Sequence, residues 1–97
     1  MPVYILGKSK RKGKRFVLMK DGLAIHFGSD IGSTFIEHGD EKKRKAWEAR
    51  HKMDKGYNDK DSGIYYSRYL LWGDNDNLYS NIKALNNKDG IHIKMTK

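Results

Sequence analysis

Residues Ile36–Met53 read IEHGDEKKRKAWEARHKM. The stretch opens on a stop-and-turn signal, His38-Gly39-Asp40, and continues as a helix over residues near 40–53. Asp40 is its predicted N-cap, because a carboxylate there accepts from the free N–H groups of the first turn. Glu41 stands at the positive end of the helix dipole, and Arg50, His51 and Lys52 at the negative end. Glu41 and Lys45, and Glu48 and Lys52, are spaced for i,i+4 pairing. Only Ala46, Trp47, Ala49 and Met53 are apolar, so one narrow side meets a core. A helix this charged needs a platform, and Ile64–Trp72 (IYYSRYLLW) supplies one that is apolar almost all round.

Around this pair the chain reads as one domain, 1–97, of class α+β. A small antiparallel sheet, with strands near 3–6, 15–20, 23–28 and 91–95, packs on helices near 40–53, 63–72 and 76–86. The clearest sheet signal is Asp21-Gly22 between two apolar runs, a two-residue hairpin turn with positive φ at both positions. It predicts that Lys20 faces Leu23, Leu18 faces Ile25 and Phe16 faces Phe27, giving one strongly apolar face. Leu78, Tyr79, Ile82 and Leu85 mark an amphipathic helix, with Asp74 or Asp76 as its cap. Ile91, Ile93 and Met95 alternate with His92 and Lys94, so residues 90–97 form a closing strand. Arg68 lies inside the apolar helix and requires a carboxylate or carbonyl partner. Asp40 and Glu37 are the candidates.

Charge is the most informative bulk property. The 97 residues carry net +8, with a pI near 9.7. Seven Lys/Arg and no acid fall in residues 1–20, whereas the other thirteen bases face all twelve acids. The excess therefore sits at the front, most densely in the loop 7–14 (GKSKRKGK). Lys8, Lys10, Arg11, Lys12, Lys14 and Arg15, with a second block at Lys42, Lys43 and Lys45, are the predicted contacts to nucleic acid or an acidic partner. Such contacts grip phosphates without reading sequence. The absence of Cys excludes disulfides, thiolate zinc sites and thiol catalysis. No apolar run approaches the ~20 residues of a membrane span, so a soluble intracellular protein is expected.

Catalytic chemistry is not legible. A shared metal ion is excluded for Asp40 and His51, which stand about 16 Å apart along the helix at ~1.5 Å per residue. His38 has no second ligand. There is no P-loop, no G-x-G-x-x-G and no Ser/His/Asp order. No cofactor, metal or catalytic residue is predicted, and the Tyr and Trp residues sit in segments read as buried, which argues against base stacking.

One further pattern runs through the chain: His26-Phe27-Gly28, His38, Asp40, Lys42–Arg44, Arg50-His51 and Ser67–Trp72. It resembles a family of small uncharacterised proteins of large double-stranded DNA viruses of algae and protists, with relatives in some phages. The likeness covers residues 15–85, with Gly39 where relatives often carry Lys. The resemblance implies a viral setting: a virion location, with passage through the host cytoplasm or nucleus during assembly. It also implies a non-enzymatic role, a minor capsid or virion-associated component touching capsid proteins or packaged DNA. The alternative is a sequence-indifferent nucleic-acid-binding accessory protein, and a small nuclease is disfavoured. His26, His38, Asp40, Trp47, Arg50, His51, Arg68 and Trp72 are then expected to form an internal polar and aromatic clamp joining hairpin to helices.

Overall fold

A computed structural model describes residues 1–96; the last residue of the predicted segment 90–97 lies outside them. Three strands come first, β1 (Val3–Lys8), β2 (Lys14–Lys20) and β3 (Leu23–Ser29). The Asp21-Gly22 turn has φ of 50° and 82°, and the pairs Lys20–Leu23, Leu18–Ile25 and Phe16–Phe27 form as the turn requires. Strand β4 (His92–Met95) joins the far side of β1, giving the order β3-β2-β1-β4. Here the all-antiparallel expectation is corrected: β4 runs parallel to β1, pairing Tyr4 with Ile93 and Leu6 with Met95. The ladder starts where His92 N–H donates to the Pro2 carbonyl and ends where Thr96 N–H donates to the Leu6 carbonyl. Direction is set by the helices, which return the chain to the end of the sheet where β1 begins.

Helices cover one face. Helix α1 (Phe35–His38) is a single turn that was not expected, and it leads through Gly39 into α2 (Glu41–His51). Asp40 caps α2, accepting from the N–H of Lys42 and Lys43. The predicted helix over 63–72 is a composite. A turn of α-helix, α3 (Gly63–Tyr66), runs into a π-helical turn, Ser67–Leu71, closed by Trp72 N–H donating to the Ser67 carbonyl five residues back. Such a turn inserts one residue and rotates everything after it. Tyr66, Leu70 and Leu71 thus stay in the core, while Trp72 swings toward α2, where it stacks on Trp47. Gly63 lets α3 lie flush on β3, since a Cβ there would sit 2.6 Å from the His26 carbonyl oxygen. Helix α4 (Leu78–Asp89) is capped by Asn77, rather than Asp74 or Asp76.

The core joins Tyr4, Leu6, Leu18, Ile25 and Phe27 of the sheet to Tyr66, Leu70, Leu71, Ile82 and Leu85 of the helices. On the opposite sheet face Val3, Ile5 and Met19 are exposed. Two polar side chains buried beside the core, Asn81 and Asp89, are fully engaged. Asn81 is 2% exposed and donates to the carbonyls of Leu70 and Asn75 while accepting from Asn75 N–H. The buried Asp89 carboxylate accepts from Tyr65 Oη at 2.7 Å and from Lys88. Burial first, and then that carboxylate, pushes the Tyr65 phenol up to about 12.

Glu37 accepts from Arg15 and from the N–H and hydroxyl of Thr34. The Arg15 guanidinium, more than the Thr34 donors, holds its carboxyl below the usual range against a smaller opposing effect of burial. A lowered folded-state pKa adds stability above the unfolded value near 4.5 and loses it as pH falls further. The carboxylate is 44% exposed, so solvent screening keeps the contribution under ~1 kcal/mol. Urea titrations of Glu37→Gln should show a slightly lower plateau at neutral pH and a shallower fall in acid than the parent. Identical acid limbs for the two proteins would contradict this account of the pair.

Candidate functional site

Two features could carry function: the cationic end of the β1–β2 hairpin, and the aromatic layer beneath it. The hairpin end is shorter and better tied than the predicted loop 7–14, because Lys8 and Lys14 already belong to strands. Ser9 N–H donates to the Arg15 carbonyl, Lys14 N–H to the Arg11 carbonyl, and Asp30 N–H to the Gly13 carbonyl. The Ser9 hydroxyl accepts from Arg11 N–H and meets His26 Nδ1 at 2.7 Å. His26 thus braces the base of the turn from β3.

Lys8, Lys10, Arg11, Lys12 and Lys14 are exposed, and among the described residues none of the five makes an ion pair. Arg15 departs from the prediction: its guanidinium is consumed by Glu37 and the Gly32 carbonyl, which makes it a brace. Lys42, Lys43 and Lys45 are exposed on α2 and likewise make no ion pair among the described residues. A cleft of about 630 Å³ has Lys14 on its wall together with Trp47 and His51 of α2, Thr34 and Trp72.

The eight residues expected to form one clamp divide into separate groups. Trp47 and Trp72 stack nearly parallel at 5.4 Å, His51 lies 4.5 Å from Trp47, and His38 lies 5.4 Å from Trp72. This row of four rings fastens α1 and α2 to the end of the π-helical turn. His38 Nδ1 accepts from Asp40 N–H at 2.9 Å, so the ring proton sits on Nε2, which is buried with no hydrogen-bond partner among aromatic faces. The His-Gly-Asp motif is therefore a turn and cap, and among the described residues no cluster of three metal-ligating side chains exists. His51 Nδ1 meets Asp54 Oδ2 at 2.6 Å. Arg50 is exposed, and His26 and Arg68 stand outside the row.

Arg68 does not reach Asp40 or Glu37. Its Nη1 donates to the Tyr57 carbonyl and to Asn58 Oδ1 at 2.8 Å, and its guanidinium lies 3.9 Å from the Tyr57 ring centre and 4.7 Å from that of Tyr69. The residue that sequence reasoning missed is Arg44. It binds Glu41, Glu48 and Asp74, donates from Nε to the Trp72 carbonyl, and so takes the acids assigned to Lys45 and Lys52. Its i,i+3 and i,i+4 spacing to Glu41 and Glu48 was visible, but Asp74 comes from a distant loop.

The site and fold define a small α+β domain with a mixed four-stranded sheet and a cationic hairpin end. Residues 4–51, from β1 to the end of α2, match the model of a family of unknown function (DUF5754). No curated protein and no solved structure matches the chain. No helix among the described residues is long and apolar enough to cross a membrane.

Proposed function

We propose that this protein is a non-enzymatic, virion-associated component that uses the end of its β1–β2 hairpin to hold packaged DNA by the phosphate backbone. The observation that carries the reading is the sorting of its cations. The less exposed Arg15, Lys20 and Arg44 each pair with a carboxylate, whereas the five side chains at Lys8, Lys10, Arg11, Lys12 and Lys14 project without one. Positive charge held on a braced turn, on five side chains that make no ion pair among the described residues, suits a polyanion and reads no base edge. The viral setting comes from the motif resemblance, and the absence of a legible catalytic group supports a structural role. A freely acting nucleic-acid-binding protein would use the same surface.

Mobility shift at several salt concentrations tests the contact. Up to five phosphate contacts give a slope of log K against log salt of about −4 to −5. Changing Lys10, Arg11 and Lys12 together to Gln should flatten that slope by about 2–3 and weaken binding equally for unrelated sequences. Unchanged binding by the triple variant removes the hairpin from the interface. Mass spectrometry of purified particles then separates the settings, since a virion component is present at fixed stoichiometry.

A further inference from the structure

Four Lys or Arg side chains among the described residues are not freely exposed: Arg15, Lys20, Arg44 and Arg68. Three of them pair with a carboxylate. Arg68 has only neutral acceptors, and both of its hydrogen bonds leave from Nη1. Its Nε and Nη2, the edge that forms paired bonds with planar or tetrahedral oxyanions, have no acceptor among the described residues. That edge is open to solvent: among the described residues the one buried side-chain nitrogen or oxygen without a partner is His38 Nε2, not an atom of Arg68.

The group is also held still. Tyr57 and Tyr69 both lie against the guanidinium, which fixes its plane before any ligand arrives and lowers the ordering cost of binding. Lys88 Nζ lies 4.8 Å from the centre of the same Tyr69 ring that Arg68 approaches at 4.7 Å, so the two cations stand less than about 10 Å apart, within one Debye length at moderate salt. Arg68, Tyr69 and Lys88 line one cleft of about 370 Å³ with Arg44 and Asp74. That volume falls at the lower end of the ~300–1,000 Å³ of small-molecule sites. Asp74 is engaged by Arg44, and Asp89 by both Lys60 and Lys88. Lys88 Nζ also donates to Tyr65 Oη, which leaves one of its three N–H groups for a ligand in the cleft.

From this geometry we infer that the Arg68–Lys88 cleft binds a phosphate monoester, with Arg68 as a two-nitrogen clamp and Lys88 as a second point charge. A dianionic tetrahedral group can meet both cations, whereas a carboxylate can satisfy the clamp alone. The inference is independent of the hairpin contact proposed above, and its test is arranged so that either can fail alone.

Titration of the full chain with inorganic phosphate at constant ionic strength, followed by the backbone amide NMR resonances at positions 68, 69 and 88, which parent and variants share, gives the direct reading. A saturable shift is expected, about tenfold weaker in Arg68→Lys, which keeps charge and loses the fork, and absent in Arg68→Gln. Because Arg68 packs between two rings, Lys88→Gln on the exposed rim serves as the second variant, with several-fold weaker binding expected. The hairpin triple variant should titrate like the parent. No saturable shift in the parent, or an equal one with acetate, overturns the inference. The source of the phosphate follows from two more ligands: tighter binding of a 5′-phosphorylated oligonucleotide than of its unphosphorylated twin assigns the site to nucleic-acid ends. Tighter binding of a mononucleotide than of either oligonucleotide assigns it to a free nucleotide.

Discussion

Asn81→Leu is expected to cost about 3 kcal/mol, a large loss for a single side chain. The side chain fits, so the penalty is chemical. It strands the buried Leu70 carbonyl at about 1–3 kcal/mol, and it also removes the partners of the part-buried Asn75 carbonyl and N–H, which hold the loop ahead of α4. Leu70 lies in the π-helical turn, where the widened spacing displaces carbonyls from their ordinary helical partners, so a side chain from α4 has to serve one of them. Asn81→Asp should be at least as damaging at neutral pH, because a carboxylate would face two carbonyl oxygens and could accept only from Asn75. Equilibrium urea unfolding measures both. Against a net stability of ~5–15 kcal/mol for a domain, such losses leave a substantial unfolded population at moderate denaturant. A cost below about 1 kcal/mol for Asn81→Leu would mean that water reaches these groups and that the amide is dispensable.

Trp47→Ala carries the second large effect, and of a different kind. Trp47 is the one buried residue of α2, and eleven isolated residues make a marginal helix in water. Removing the indole takes away its stacking on Trp72 and His51 and ~3–5 kcal/mol of packing. The expected result is local: α2 frays while the sheet and α4 persist. Amide exchange should quicken over Glu41–His51 with little change at Leu18, Ile25 or Ile82, and far-UV ellipticity should fall by about one short helix. Trp47→Phe should land between parent and Ala. Uniform acceleration of exchange throughout the chain would show instead that α2 belongs to the global folding unit.

The hairpin was fully legible in the sequence because its information is local. Two residues with positive φ set the turn, and period-two alternation sets which side chains meet the core. Asp40 was legible for the same reason, since a cap acts within three residues. The direction of β4 was not, because alternation in Ile91–Met95 is the same for parallel and antiparallel pairing and direction depends on where α4 delivers the chain. The π-helical turn left no mark either: Ser67–Leu71 is apolar enough that inserting one residue still buries Leu70 and Leu71. At the candidate site, exposure of the hairpin lysines could be anticipated from composition, but the capture of Arg15 by Glu37 spans 22 residues and has no local signal. Arg68 was recognised as a charge in need of a partner. Its actual neighbours, Tyr57 and Asn58, lie in a polar stretch with no periodicity from which to place them.

The parallel pairing of β1 with β4 has a consequence for synthesis on the ribosome. β1 opens at residue 3, yet its second neighbour spans residues 92–95, so the sheet stays incomplete until the strand some ninety residues later has emerged. A nascent polypeptide that has reached only the end of α2 holds Leu6, Leu18, Ile25 and Phe27 without the Tyr66, Leu70, Leu71, Ile82 and Leu85 that roof them. Residues 4–51, the stretch that matches the family model, therefore hold only the sheet side of the core and cannot mature until the later helices supply its lid.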